Sequence, residues 1–400
     1  EKESIEAMAI FKQKMVWAGT IIVLAVLVVF GAAMMGSVLG TKPKEVPAAL
    51  VVLDHPADLP GGGSLAVGEK LKEQLLSNDK LPIKWTVLDS EQAAREALDA
   101  REYYGALILP ADLSSGVASI AGASPQQPAV RVLVSEGLNA QASTVLRQGL
   151  GQVMSMAGAE LSKSMLAGIA QKSQQLPVTV AQALLSPIQV QEETVHPVGA
   201  NNASGSAPGL LTQIMWMGSL VTAMMLFLAG GKAIQSGAGR PAAVAWQPVI
   251  GVAITGIASG FLVWTASSWY GMELAHSLDT WLFLWLAAVT FYMLQSALLN
   301  WIGLPAMAIL VLLMFFSMPL LNMAPEFLTD TTHFWIYSWT PLRFAAYGMR
   351  EVMYFGGLDS AGGSAAVLAG IAGAFLLALL GSGWKKSRAA GKTETVPASA

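Results

Sequence analysis

The charged residues best placed to do chemistry lie in one aromatic, apolar stretch, residues 323–357. Its last three charges are Arg343, Arg350 and Glu351, and the two arginines are two helical turns apart, so one helix face can carry both. Together with Pro341, these residues are candidates for an outer gate or for an exit that attracts anions. The alternative is structural: arginines that snorkel toward the membrane surface, with a local pair to Glu351.

The sequence lacks the residue patterns of common enzyme active sites. A phosphate-binding loop of the form G-x-x-x-x-G-K-[ST] does not occur, because Gly391-Lys392-Thr393 has no upstream glycine at the required spacing. There is no H-E-x-x-H pair, no G-x-S-x-G turn and no cysteine, and the four histidines are scattered. We therefore expect no catalytic residue, metal or cofactor in this chain, and a membrane-embedded enzyme is the weakest function class.

The composition indicates that lipid is the solvent for much of the chain. Of the 400 residues, 54% are hydrophobic and 12% are charged, whereas soluble globular proteins carry roughly 25% charged residues. The formal net charge of −3 provides no basic surface for nucleic acid, which makes that partner class a poor candidate. A multi-pass membrane protein fits these numbers.

Charge-free runs locate the membrane spans, because a charged side chain at mid-bilayer costs at least ~2.5–3.5 kcal/mol. The run 280–325 would be about 69 Å long as one helix, over twice the ~30 Å hydrocarbon core, so it must fold back near 300–305. Six transmembrane helices result, at residues 16–40, 210–230, 248–268, 281–301, 304–322 and 362–384.

Positive charges beside these spans predict their orientation, since short cytoplasmic loops are rich in lysine and arginine. Three groups of cations flank the spans: Lys12 and Lys14, Lys232 and Arg240, and Lys385, Lys386, Arg388 and Lys392. With six spans, all three groups lie on one side, so we expect a cytoplasmic amphipathic segment at 1–15 and a cytoplasmic tail at 385–400. The opposite short loop, 270–280, contains two acidic residues and no lysine or arginine.

Residues 41–208 then form an extracytoplasmic domain of ordinary polarity between the first and second spans. Its apolar runs alternate with helical patterns, which is typical of an α/β fold. The expected strands are 48–54, 83–88, 104–109 and 130–134, and the expected helices are 64–77, 90–101 and a long one from 139 to about 172. The long helix is expected to pack on its own sheet, with a stalk or a dimer contact as the alternative. A Gly/Asn/Ser-rich connector, 191–208, leads back to the membrane.

The predicted spans carry no Asp, Glu, Lys or Arg near their middles. Transporters that use ion gradients usually have such groups along the ion path, so a self-powered carrier is disfavoured. Small residues such as Gly256 and Gly260 instead favour close helix packing within the third predicted span.

The order of one span, an α/β domain and five further spans resembles the ABC-2-type exporter permeases, and within them the phage infection protein (Pip/YhgE-like) group. Three parts of the chain carry the resemblance: the strand–helix units AALVVLDHP, SEQAAREALDAREYYGALILPADLSSGV and VRVLVSEGLNAQAS; the re-entry HPVG with APGLLTQIMWMGSL; and the stretch from Pro319 to Gly357. The predicted domain 41–208 is shorter than the coiled-coil-forming one usual in phage infection proteins, which favours a compact exporter-like subunit.

The resemblance implies a separate cytoplasmic ATP-binding-cassette ATPase and a homodimer or heterodimer of permease chains in a bacterial plasma membrane. ATPase-coupling candidates are Lys12, Lys14, Lys232 and Arg240, although anchoring at the membrane explains the same charges. The expected function is outward movement of an amphipathic or peptide-like substrate. The alternative is a non-transporting envelope receptor or scaffold that presents the α/β domain.

Overall fold

A computed structural model describes residues 43–59, 63–78, 81–122, 124–171 and 177–385, together with Ile21, Leu24 and Val28. The predicted segment 1–15, most of the first predicted span and residues 386–400 lie outside the described residues. The coupling candidates Lys12 and Lys14 are among them.

The first part of the described chain is an α/β domain built on a five-stranded sheet. Its strands are β1 (Val46–Val52), β2 (Ile83–Leu88), β3 (Gly105–Leu109), β4 (Ala129–Ser135) and β5 (Gln189–Val195). The spatial order is β2-β1-β3-β4-β5, and the β3–β4 pair is antiparallel while the other pairs are parallel. The helices are α1 (Val67–Leu76), α2 (Glu91–Asp99), α3 (Leu113–Ser119), α4 (Ala140–Ala170) and α5 (Val178–Leu185).

The interior strand β1 is buried on both faces, and its successive side chains point to opposite sides of the sheet. Leu50 packs in the cluster that contains Leu146 and Leu150 of α4, whereas Val51 packs in the cluster that contains Leu98 of α2. The sheet therefore has a helix layer on each side, as its near-continuous apolar strands require.

Strand β5 was missed by the sequence patterns, which placed part of it in the connector 191–208. Its sequence, QVQEETV, is mostly polar, and all of its residues but Val195 are exposed along the edge of the sheet. Without one buried face it has no apolar alternation. Pairing with β4 and the ion pairs of Glu192 with Arg147 and of Glu193 with Arg95 hold it in place.

The long helix α4 begins at Asn139, whose side-chain Oδ1 accepts hydrogen bonds from the backbone N–H groups of Gln141 and Ala142. Its first half packs on the sheet through a buried stripe that ends near Ala157. Met165 and Ile169 in its second half contact the small cluster around α5.

The second part is a bundle of apolar helices: α6 (Ala207–Gln235), α7 (Arg240–Ser268), α8 (Ser277–Ile302), α9 (Ala306–Ser317), α10 (Pro341–Tyr354) and α11 (Gly362–Gly381). Four segments of the described chain are long and apolar enough to cross a membrane: Ala207–Gln235, Arg240–Ser268, Ser277–Ile302 and Gly357–Trp384. The most buried of them is α8, at the centre of the bundle.

Two of these helices differ from the expected spans. Helix α7 begins at Arg240 rather than near Pro248, which lies inside it. The predicted span 304–322 is a shorter helix, Ala306–Leu320, that follows a turn at Gly303 (φ 84°) and ends in a 3-10 turn containing Pro319. Proline lacks the N–H that would continue an α-helix, which accounts for the change at this point.

Tryptophans of α8 lie over the two glycines predicted for helix packing. The rings of Trp281 and Trp285 stack with centroids 6.0 Å apart, and their indole N–H groups donate to the carbonyl oxygens of Gly256 (3.1 Å) and Val252 (3.0 Å). A Cβ on Gly256 would lie 2.8 Å from Cε2 of Trp285, and one on Gly260 would lie 3.0 Å from Nε1 of Trp281. Glycine allows α7 and α8 this close approach.

We expect Gly256→Ala to destabilise the protein by about 1–3 kcal/mol, because the added methyl displaces the Trp285 ring. Thermal unfolding in detergent, followed by intrinsic fluorescence, measures the effect. The matched control is Gly370→Ala in α11, where nothing lies within 4 Å of the added Cβ. Equal unfolding midpoints for the two variants would contradict the prediction.

Candidate functional site

The predicted stretch 323–357 lies at the junction between the α/β domain and the bundle. It begins with short turns, a 3-10 turn at Pro325–Phe327 and a π-helical turn at His333–Tyr337, and continues as α10. Pro341 occupies the first turn of α10, where its missing N–H has no helical partner to lose. Most of α10 is buried against α6, α8 and α11.

An ion pair between Arg101 and Glu351 joins the two parts of the molecule. Nη1 of Arg101, just beyond the end of α2, contacts Oε1 of Glu351 and donates to the carbonyl oxygen of Ser360 (3.0 Å). The other oxygen, Oε2 of Glu351, accepts a hydrogen bond from Oγ of Ser364 (2.7 Å). The Glu351 side chain is 8% exposed and that of Arg101 is 23% exposed.

Burial raises the pKa of Glu351, and the Ser364 hydroxyl and the Arg101 charge oppose that rise. The local pair to Glu351 considered from the sequence is wrong, because the carboxylate binds Arg101 instead. No sequence pattern points to Arg101, which is 250 positions away.

Hydrogen bonds extend this junction on both sides of the ion pair. The hydroxyl of Tyr104 donates to Oε2 of Glu326 (2.7 Å), and Nδ2 of Asn139 donates to the carbonyl oxygen of Asn322 (3.1 Å). The α/β domain is therefore also held at Asn322 and Glu326, in the segment that precedes α10.

His196 lies in the same junction, directly after β5. Its Nε2 is 3.0 Å from Oδ1 of Asp99, and its ring lies 4.3 Å from the ring of Phe355. Burial lowers the pKa of His196, and the nearby Asp99 carboxylate opposes the shift.

A cavity of about 160 Å³ opens at this junction, and both arginines of α10 line it. The structure thus places Arg343 and Arg350 on one cavity wall. Glu351 pairs with Arg101 at the edge of the same region, while Pro341 only begins the helix. Within the described residues, no group of three or more His, Asp or Glu side chains could hold a metal ion.

The remaining coupling candidates lie at the opposite end of the bundle, since α6 runs about 43 Å away from the junction. Lys232 is exposed near the end of α6. At the start of α7, Arg240 donates from Nε to the carbonyl oxygen of Ser382 (3.1 Å) and from Nη2 to that of Asn300 (3.5 Å). Nζ of Lys385 donates to the carbonyl oxygen of Trp301 (2.7 Å). Arg240 and Lys385 thus bind carbonyls that helix ends leave unpaired.

Comparison with known proteins gives one family. A family model described as ABC-2 family transporter protein matches residues 14–380. No protein with a curated description matches the chain. Among solved structures, a crystallised domain described as part of an ABC type-2 transporter from Thermotoga maritima MSB8 is 14% identical, with a TM-score of 0.27 over 37% of this chain and 84% of that chain. That TM-score is too low to support any conclusion about the fold.

We expect Arg101→Gln to destabilise the protein by roughly 1–3 kcal/mol, more than Glu351→Gln, because it leaves the buried Glu351 carboxylate without its cation. The double variant should cost less than the sum of the single variants. Chemical or thermal unfolding of all three gives the coupling energy.

Arg95→Gln is the control for this cycle, since Arg95 forms a more exposed pair with Glu193 and should contribute only ~0–1 kcal/mol. Additive effects of the Arg101 and Glu351 substitutions would show that the two residues do not interact.

The lowered pKa of His196 predicts a pH dependence of stability. The unfolded chain takes up this proton more readily than the folded one, so stability falls as the pH drops below about 6.5. We expect His196→Gln to remove this part of the acid destabilisation. Unfolding midpoints of both proteins between about pH 7.5 and pH 5.5 test it, and parallel curves would show that His196 is not responsible.

Proposed function

The chain belongs to the ABC-2 transporter family, and on that premise we propose that it moves an amphipathic or peptide-like substrate outward across a bacterial plasma membrane. The family consists of membrane transport subunits rather than enzymes, and it implies a partner ATPase. The more specific assignment to the phage infection protein group stays a prediction.

The observation that carries this proposal is the separation of charges between the two ends of the bundle. Lys232, Arg240 and Lys385 lie at one end, and the α/β domain contacts the other. Because cations beside spans favour the cytoplasm, we place the first end in the cytoplasm and the α/β domain outside. Six spans, with residues 16–40 and 304–322 as the first and fifth, agree with this orientation.

The cytoplasmic end is a suitable contact for an ATPase. The loop between α6 and α7 is only four residues long, 236–239, and Lys232 beside it is exposed. Arg240 connects the start of α7 with the ends of α8 and α11 through two carbonyl oxygens. In our proposal, force applied to this loop reaches three helices at once.

At the outer end, α10 is the element that would transmit such a movement. It packs against α6, α8 and α11 and binds the α/β domain through the Arg101–Glu351 pair. We propose that Pro341, Arg343, Arg350 and Glu351 form the outer gate together with this domain. A scaffold that merely presents the domain would not need so many contacts between its base and the bundle.

A second permease chain completes the proposed pathway, as a homodimer or a heterodimer. The outward faces of α6 and α7 carry exposed apolar side chains, among them Val221 and Ile257. These faces suit contact with lipid or with another permease chain.

The decisive experiment is co-reconstitution of the chain with candidate ATP-binding-cassette ATPases. We expect a stable complex whose ATPase activity is stimulated, and we expect Lys232→Glu to reduce that stimulation by about fivefold or more, the usual size of a coupling effect. The matched control is Lys163→Glu, an exposed lysine on α4 in the α/β domain, which should leave stimulation unchanged.

Failure of every candidate ATPase to bind or to be stimulated would overturn the proposed function. Equal loss of stimulation in both lysine variants would show instead that Lys232 has no specific role in coupling.

A further inference from the structure

The cavity at the junction is enclosed by both parts of the molecule. Its wall combines apolar residues, among them Leu138 of the α/β domain and Leu320 of the bundle, with tyrosines and charged side chains. Its volume of about 160 Å³ resembles that of a ~150 Å³ protein cavity known to admit benzene. A small polar head group fits this space, whereas a whole amphipathic molecule does not.

Arg350 on this wall is a buried charge without a counter-charge. The residue is 7% exposed, and burial lowers its pKa, although an arginine keeps its charge in proteins. Among the residues that the structure describes, no carboxylate lies within ion-pair distance of it and none of its guanidinium N–H groups has a hydrogen-bond partner. Its electrostatic neighbours are tyrosines, including Tyr104, Tyr337 and Tyr347. Such a charge costs stability unless something binds it.

Arg343 provides a second donor at the same wall. Its Nη1 donates to the carbonyl oxygens of Tyr337 and Ser338, each at 3.3 Å, and its guanidinium lies 4.2 Å from the Tyr337 ring centroid. Its Nε, however, is buried without a hydrogen-bond partner in the described structure. Two arginines therefore retain unused donors beside one cavity.

The acidic residues of the cavity wall do not neutralise Arg350. Glu102 is exposed, and the partly buried Glu326 accepts its hydrogen bond from Tyr104. Arg101, the third cation of the wall, is already paired with Glu351. Glu102 and Glu326 keep their own negative charges, and Arg350 is the buried charge of this wall that forms no ion pair within the described structure.

We propose that this cavity binds an oxyanion, a phosphate or carboxylate group, through Arg350 with help from Arg343. An arginine fork matches the two oxygens of such a group, and the attraction is stronger for a buried guanidinium such as that of Arg350 than for one in water. The oxyanion is either the head group of an anionic lipid or a small soluble anion. Binding here does not depend on transport or on the partner ATPase, so its failure and the failure of the proposed function are separable.

The test uses the full chain in detergent and in phospholipid nanodiscs. Thermal unfolding is measured with inorganic phosphate against chloride at equal ionic strength, which reports a soluble oxyanion. For the lipid arm, nanodiscs contain phosphatidylcholine alone or an equimolar mixture with phosphatidylglycerol, and native mass spectrometry counts the retained phosphatidylglycerol. The proteins compared are the wild type, Arg350→Gln, Arg350→Lys and the control Arg95→Gln.

We expect phosphate, phosphatidylglycerol or both to stabilise the wild type and Arg95→Gln alike. Arg350→Gln should weaken that binding by roughly tenfold or more, since a hydrogen-bonded charge is lost. Arg350→Lys, which keeps the charge but not the fork, should lie between them. Without any added anion, Arg350→Gln should unfold at the same or a higher temperature than the wild type. If the role of Arg350 were purely structural, the same substitution would lower the unfolding temperature.

A response to phosphate alone identifies a soluble anion, and a response to phosphatidylglycerol alone identifies a lipid head group. The proposal is overturned if neither probe stabilises the wild type, or if wild type and Arg350→Gln respond equally. If Arg350→Gln does not fold, Arg350→Lys takes its place in the test. The proposal is then overturned if Arg350→Lys binds phosphate and phosphatidylglycerol as tightly as the wild type does.

Discussion

A carboxylate in an apolar junction needs a cation beside it, and the position of Glu351 makes this requirement the central constraint on the molecule. Its counter-charge, Arg101, comes from the other part of the chain, so the α/β domain cannot leave the bundle without exposing or stranding a charge. The contact also fixes where α10 lies, because Glu351 binds Ser364 of α11 with its second oxygen. The position of α10 in turn determines which groups line the cavity.

The bundle itself follows a simpler rule, which is that charges are kept at its ends. Its interior is held by close packing, as where Trp285 lies against Gly256, and by buried hydrogen bonds such as that between Nδ2 of Asn300 and Oε1 of Gln247 (2.8 Å). Cations at the end away from the junction bind unpaired helix carbonyls. The family to which the chain belongs implies a partner ATPase.

Arg350 and Glu351 are neighbours on α10 but have different surroundings and different roles. Glu351 has a cation, a hydroxyl and a structural explanation, whereas Arg350 has only tyrosines and a cavity. An unpaired buried guanidinium lowers stability, and proteins commonly accept such a cost at functional sites. The junction therefore combines a contact that holds the two parts together with a charge that remains available.

The sequence by itself determined the elements, because hydropathy and periodicity are local properties. Long charge-free runs predicted the helices around 207–235, 277–302 and 357–384, and short apolar runs predicted the first four strands. The edge strand Gln189–Val195 was missed, since a strand with no buried face has no such pattern. Only the tertiary structure decided which charges meet. The partner of Glu351, Arg101, lies 250 residues away in the sequence. Arg343 and Arg350 share a cavity whose other walls come from distant segments. Pairing across that distance depends on how the elements pack, and no local pattern records it.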